Sequence, residues 1–133
     1  MGSCQGPPVW LQACEAENKI YENIENYYID AFKVCQQITG RKYEIFEYYG
    51  AEDATDIVVL MGSGCLTAEE GIDYLNKNGR KTGAVFVRLF RPFSIKYFIS
   101  KVPKTVKRIC VLDRCKEAGS AGEPLRLDII SAL

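Results

Sequence analysis

The first clear pattern in the chain is a stripe of apolar residues with helical spacing. Apolar side chains recur there every three or four residues, at Ile20, Ile24, Tyr28, Ala31, Cys35 and Ile38. This period predicts an amphipathic helix, and Gly40 marks its end. Before the helix, Gly6-Pro7-Pro8 predicts an irregular lead-in. We therefore expect residues 1–42 to form a helical arm or linker that leads out of a preceding domain.

From Tyr43 onward, short apolar runs alternate with helical patterns. The aromatic run 43–49 predicts a strand or edge ribbon. Three continuous apolar runs predict strands covered on both faces, at 56–61, 83–90 and 106–113. Thr67 and Glu70 have the spacing of a capping box at the start of a helix, and Ser94 and Pro124 are placed to begin two more. This alternation predicts an α/β unit over 43–133 with a parallel sheet and right-handed crossovers.

Composition limits the class of protein. The chain has 133 residues, of which 47% are hydrophobic and 26% charged, as expected for one soluble domain. No apolar run is long enough to span a bilayer, and the opening residues lack the pattern of a secretory signal. Seventeen basic residues balance seventeen acidic ones, which argues against a protein built to bind nucleic acid. There is no histidine, the commonest general base and metal ligand.

Charge is unevenly distributed along the chain. Residues 77–116 contain many lysines and arginines, and Asp113 is the one acid among them. This stretch predicts either a basic face for a phosphate-bearing ligand or acidic partner, or a solvated face balanced by the acidic half of the chain. The six cysteines form no C-x-x-C pair. They fit the reduced thiols of an intracellular protein better than a disulfide framework or a zinc or iron–sulfur site.

Ligands of parallel α/β sheets collect beyond the carboxyl ends of the strands, which singles out three loops. Gly62, Ser63 and Gly64 follow the first buried strand and partly match a dinucleotide-binding fingerprint. Thr67 replaces its third glycine, and the next strand is followed by Arg88 and Arg91 rather than by an acid. The alternative is a plain tight turn. The Gly62–Gly64 segment is therefore a candidate cofactor-binding loop or a structural turn.

The other two loops carry charged residues just past a strand. Arg91 precedes Pro92 after one strand, and Asp113 and Arg114 end the next. These three residues predict either a docking edge for a partner or internal salt bridges that shape the loops. Without histidine, and with no carboxylate marked by an apolar pocket, a pair of nucleophile and base is hard to assemble. The residue types thus indicate no catalytic residue and no metal ligand.

Several longer motifs carry a family resemblance. They are Met61-Gly-Ser-Gly-Cys65, Asp73-Tyr-Leu-Asn76, Val87-Arg-Leu-Phe-Arg-Pro-Phe-Ser94, Pro103-Lys-Thr-Val-Lys107, Val111-Leu-Asp-Arg114 and Gly122-Glu-Pro-Leu125. In this order and spacing they closely resemble core domain II of pyruvate:ferredoxin (flavodoxin) oxidoreductase. Thr39-Gly-Arg41 and Tyr48-Tyr-Gly-Ala-Glu-Asp53 extend the resemblance upstream. Cys115 and Ala118 depart from the family pattern, which leaves the shape of their loop open.

The resemblance implies a fold and a role. The fold is a three-layer α/β/α sandwich with a mostly parallel sheet, like the C-terminal domain of transketolase. The implied parent enzyme uses thiamine diphosphate, Mg²⁺ and iron–sulfur clusters to convert pyruvate and coenzyme A to acetyl-coenzyme A and carbon dioxide. This chain lacks the motifs for those cofactors, so we expect a non-catalytic domain for structure and subunit contacts, inactive alone and a fragment of the full enzyme.

The implied partners are the remaining domains of the same enzyme and a second copy of it in a homodimer, with neither nucleic acid nor membrane. The implied location is the cytoplasm or an organelle of anaerobic metabolism. Two alternatives stay open. One is a free-standing nucleotide- or coenzyme-binding module, and the other is the same domain in a pyruvate:NADP oxidoreductase fusion.

Overall fold

The computed structural model describes residues 4–133, which form two compact units. The first comprises the described residues up to Tyr43, and the second is Glu44–Leu133. No helix within residues 4–133 is long and apolar enough to cross a membrane. The division falls next to the predicted start of the α/β unit, and the assignment of the first segment to a preceding domain stays a prediction.

The first unit consists mainly of one long helix, α1, Pro7–Thr39. It begins well before the apolar stripe, so the predicted irregular lead-in is wrong for Pro7 and Pro8. Proline suits the first helical turn, because its missing N–H would have no partner there and its φ is already helical. Gly40 ends the helix at φ 72°, and its N–H donates to the Gln36 carbonyl. No residue of α1 is buried.

The second unit is built on a four-stranded sheet. Its strands are β1 (Phe46–Gly50), β2 (Asp56–Met61), β3 (Thr82–Val87) and β4 (Arg108–Val111). Their order is β1-β3-β2-β4, with β2 parallel to both β3 and β4, and β1 antiparallel to β3 at the edge. The continuous apolar run of β3 is explained by its central place, where five of its six residues are buried.

Three helices cover the two faces of the sheet. They are α2 (Gly64–Lys77), α3 (Ile95–Lys101) and α4 (Pro124–Ala132). On one face, Ala84 and Phe86 of β3 pack with Cys65 and Ile72 of α2. On the other face, the Phe46 ring lies 5.8 Å from the Phe98 ring of α3, and α4 packs on α3. The predicted α/β sandwich with a mostly parallel sheet is confirmed.

Several predicted boundaries are wrong. The strand predicted over 43–49 is Phe46–Gly50, and the one predicted over 106–113 is the shorter Arg108–Val111. The capping box at Thr67 and Glu70 does not start a helix, because α2 already begins at Gly64 and both residues lie inside it. Residue 90 is not in β3, which ends at Val87. The strand stops there because the amides of the next two residues, Arg88 and Leu89, both donate to the Ile45 carbonyl and leave the ladder.

Candidate functional site

The three predicted loops do lie at one edge of the sheet. Because β2, β3 and β4 are parallel, their carboxyl ends lie at the same edge of the sheet, and the segments that follow them begin there. This carboxyl edge, defined as residues 62–64, 88–94 and 112–123, is where a ligand of such a sheet would be expected. Each predicted site residue is located there.

The turn after β2 requires its first glycine for backbone conformation. Gly62 has φ +77°, and a Cβ added to it would meet no atom within 4 Å. Gly64 has no positive φ, and its added Cβ would only contact the Leu60 side chain at 3.5 Å. The Cys65 amide donates to the Gly62 carbonyl at 3.2 Å and closes the turn. The loop therefore has the geometry of a tight strand-to-helix turn, which explains Gly62 and not Gly64.

Ser63 is the residue before the first turn of α2. Its side chain makes no capping hydrogen bond to the helix, and its own backbone is helical. The side chains of this loop therefore give no indication of phosphate binding beyond the free backbone amides that any helix N-terminus has.

Arg91 has an internal partner. Its Nη1 lies 2.5 Å from Oδ2 of Asp128 on α4 and donates to the Phe90 carbonyl at 3.2 Å. The guanidinium carbon also lies 3.9 Å from the centre of the Phe90 ring. About half of the Arg91 side chain is still exposed. The side chain is therefore oriented by partners within its own domain.

Both carboxylate oxygens of Asp113 accept hydrogen bonds from backbone amides. Oδ1 accepts from Cys115 at 3.2 Å, and Oδ2 accepts from Leu125 at 2.9 Å. Leu125 lies in the first turn of α4, where amides have no partner within the helix. The residue that precedes α4, Glu123, forms no capping bond to it. Asp113 thus caps α4 from the end of β4.

Arg91 and Asp113 therefore act on the same helix. Their partners, Asp128 and Leu125, are three residues apart on α4 and lie within one turn of each other. Together the two residues attach the N-terminal half of α4 to the carboxyl edge. Arg114, by contrast, is exposed and makes no hydrogen bond or ion pair in the part of the chain that the structure describes.

The sequence analysis missed the residues that complete these interactions. Asp128 and the Leu125 amide lie in α4, and nothing in their local sequence relates them to a strand end. Glu123 was also missed: its carboxylate accepts from the Glu117 amide at 2.8 Å and lies 3.4 Å from Lys116 Nζ. These contacts span loops whose path depends on the tertiary fold.

A second group of charges lies at the opposite edge of the sheet. A cleft of about 470 Å³ is bordered there by Thr55, Asp56, Arg80, Lys81 and Arg108. Hydrogen bonds from Arg108 and then from Thr55 lower the pKa of the Asp56 carboxyl to about 2. Such a carboxylate stays ionised near neutral pH and is unsuited to general acid–base work.

Two of the thiols, Cys65 and Cys115, lie in environments that disfavour the thiolate. Desolvation by burial is the main cause that raises the pKa of the Cys65 thiol. Desolvation, followed by the charges of Glu117, Glu123 and Asp113, also raises the pKa of Cys115. Since the thiolate is the nucleophile, these environments disfavour cysteine chemistry at both positions. Among residues 4–133, no three His, Cys, Asp or Glu side chains are grouped so that they could hold a metal ion.

Known proteins resemble this chain over nearly all of its length. A pyruvate dehydrogenase [NADP(+)] from Cryptosporidium parvum is 48% identical over 99% of the chain. A pyruvate-flavodoxin oxidoreductase from Enterobacter agglomerans is 47% identical over 98%, and one from Nostoc is 45% identical over 99%. The chain spans only 7% of the first relative and 11% of the other two.

One solved structure that resembles the chain is a 2-oxoglutarate:ferredoxin oxidoreductase from Magnetococcus marinus. The alignment covers 52% of this chain and 12% of the solved chain. Its TM-score is 0.46 and its identity 24%, values too low to support a conclusion. The family model of pyruvate:ferredoxin oxidoreductase core domain II matches residues 54–133, the greater part of the sheet and its helices. The predicted resemblance is confirmed, and the chain belongs to the pyruvate:ferredoxin oxidoreductase core domain II family.

Proposed function

We propose that this chain serves as a non-catalytic structural domain of a thiamine-diphosphate-dependent pyruvate oxidoreductase. In that enzyme, pyruvate and coenzyme A yield acetyl-coenzyme A, carbon dioxide and two electrons. The relatives are named for flavodoxin or NADP⁺ and the family for ferredoxin, which supports one of these three as the electron acceptor. Domain 43–133 contributes to subunit contacts in a homodimer, and the arm 1–42 connects it with the preceding domain.

One observation carries the structural role. The charged groups that the carboxyl edge brings together, Arg91 and Asp113, bind α4 of their own domain. An active site would instead aim such groups at a space where a substrate atom can sit. A role in holding the fold accounts for both residues without a ligand. Arg91 and Asp113 are therefore best explained as residues that hold α4 on its own domain.

The donor atoms of the described residues do not fit the cofactors of the parent enzyme. Mg²⁺ needs several oxygen ligands and an iron–sulfur cluster needs several thiolates close together. No such group of acidic or cysteine side chains occurs in residues 4–133. We infer that thiamine diphosphate, Mg²⁺ and the clusters are bound by other domains. All six cysteines are free, in keeping with the cytoplasm or an organelle of anaerobic metabolism.

The three residues predicted to form a docking edge are not equally available to a partner. Arg114 is exposed and has its guanidinium available to a carboxylate of another subunit or domain. Arg91 is about half exposed but is already paired with Asp128, so it is less available to a partner than Arg114. Asp113 contributes by holding the loop that carries Arg114.

In the test, this chain replaces the matching segment of the Enterobacter agglomerans pyruvate-flavodoxin oxidoreductase, which gives a chimeric enzyme. We expect the chimeric enzyme to remain dimeric and to reduce flavodoxin with pyruvate, while the same enzyme without the segment fails to assemble. Arg114→Ala in the chimera should weaken the dimer in sedimentation and leave kcat/KM of the assembled enzyme unchanged. A tenfold or greater fall in kcat/KM with an intact dimer would show that this edge takes part in catalysis.

The isolated chain provides a second test. We expect it to bind neither thiamine diphosphate in calorimetry nor iron after anaerobic reconstitution. Absorbance near 400 nm that stays with the protein through gel filtration, together with stoichiometric iron, would contradict the proposal.

A further inference from the structure

The longest element of the chain leaves its apolar side chains uncovered. Helix α1 has 33 residues, a length of about 50 Å at 1.5 Å per residue, and buries none of them. Its exposed large apolar residues are Val9, Trp10, Leu11, Ile20, Tyr21, Tyr27, Tyr28, Val34 and Ile38. An uncovered surface of this extent on a folded protein marks an interaction site.

These residues follow a seven-residue repeat. With Trp10 at position a, the a positions are Trp10, Glu17, Ile24, Ala31 and Ile38. The d positions are Ala13, Ile20, Tyr27 and Val34, and the e positions are Cys14, Tyr21, Tyr28 and Cys35. All the exposed large apolar residues except Val9 and Leu11 fall on a, d or e. We call this surface the heptad face, and it continues along the helix for four repeats.

The shape of the heptad face indicates what covers it. Two copies of one helix pair through a narrow seam of a and d positions, with opposite charges at e and g. Here the e positions carry no charge, the g positions carry only that of Asp30, and Glu17 occupies an a position. A face three positions wide is instead typical of a helix that packs on a broad apolar surface formed by more than one element.

The relatives contain a source for that surface. Their similarity to this chain includes α1, and in each of them the matching segment is 7–11% of a much longer polypeptide. We propose that the heptad face of α1 docks on an apolar surface of another domain of the same enzyme, formed by at least two of its secondary-structure elements. This inference rests on the proposed function and identifies the side chains that join the chain to the rest of the enzyme.

Two native thiols can report on the docking. Cys14 and Cys35 lie at e positions near the two ends of the heptad face and are partly exposed. Cys110 and Cys115, in the other unit, are exposed and serve as internal references. Labelling with N-ethylmaleimide, followed peptide by peptide in a mass spectrometer, is measured on the isolated chain and on the chimeric enzyme described above. We expect Cys14 and Cys35 to react at least about tenfold more slowly in the chimera, because covered thiols react slowly.

A matched pair of variants tests the face itself. Tyr27→Lys places a charge on the heptad face, and Asn26→Lys places the same charge on the polar side one residue away. Tyr27 is 67% exposed, so neither change should move the melting temperature of the isolated chain by more than about 2 °C. In the chimera, only Tyr27→Lys should restore rapid labelling of Cys14 and Cys35.

Three results would overturn the inference. One is equal labelling rates in the isolated chain and in an active, dimeric chimera. Another is restored labelling by both lysine variants. The third is labelling of the isolated chain that slows with concentration as a dimer forms, since a second copy would then be the occupant. Activity of the chimera is read separately, so an inactive chimera argues against the proposed function and not against the docking face.

Discussion

Replacing Asp113 by alanine removes the contact that joins β4 to α4. Two backbone amides, those of Cys115 and Leu125, lose their carboxylate acceptor. A hydrogen bond to a charged group contributes about 1.5–3 kcal/mol, and loss of a helix cap costs about 1 kcal/mol. Cys115 is an exposed residue, so water can replace the acceptor of its amide, and most of the loss comes from the amide of Leu125, which is a fully buried residue. We expect a destabilisation of about 2–3 kcal/mol.

Urea unfolding followed by circular dichroism measures this loss. Arg114→Ala is the matched control, because Arg114 is the exposed neighbour and should change stability by less than about 0.5 kcal/mol. Asp113→Asn keeps one acceptor oxygen and should fall between the two. Hydrogen exchange at the Leu125 amide should speed up in Asp113→Ala. If Asp113→Ala is no less stable than Arg114→Ala, Asp113 does not cap α4 and its role as a docking residue regains support.

Three further predictions follow from backbone conformation and charge. Gly62→Ala should cost about 1–2 kcal/mol because of its positive φ, whereas Gly64→Ala should be neutral or slightly stabilising in a thermal melt. Gly50→Ala should cost more than Gly62→Ala, since its Cβ would lie 2.5 and 2.6 Å from backbone atoms of β3, and equal melting temperatures would contradict this. Hydrogen bonds from Arg108 and then from Thr55 lower the Asp56 carboxyl pKa from 3.8 to about 2, so their contribution to stability is present above pH 3.8 and is lost as the pH falls towards 2. Arg108→Gln should weaken that dependence, because only the Thr55 hydrogen bond then remains, and the difference in urea midpoint between the two proteins should shrink as the pH falls over this range.

Much of the fold could be read from local pattern. The apolar runs of β2 and β3 predicted buried strands because a central parallel strand is covered on both faces and needs apolar residues throughout. The ends of the helices and strands were harder to predict from the sequence. Thr67 and Glu70 have the residue types and spacing of a helix start, yet α2 begins at Gly64, because the chain turns sharply at Gly62. Such a turn depends on the geometry of the strand before it.

The family, the alternation of strands and helices, and the loops that reach the carboxyl edge could all be predicted from the sequence, since they depend on residue order and periodicity. The role of the charged residues in those loops could be seen only in the folded domain. Arg91 meets Asp128 thirty-seven positions away, and Asp113 reaches the Leu125 amide twelve positions away. Partners so far apart are brought within hydrogen-bond distance by the packing of α4 on the sheet unit, which no local pattern encodes. The same holds for α1: its period was visible in the sequence, but its lack of any buried residue became apparent only in three dimensions.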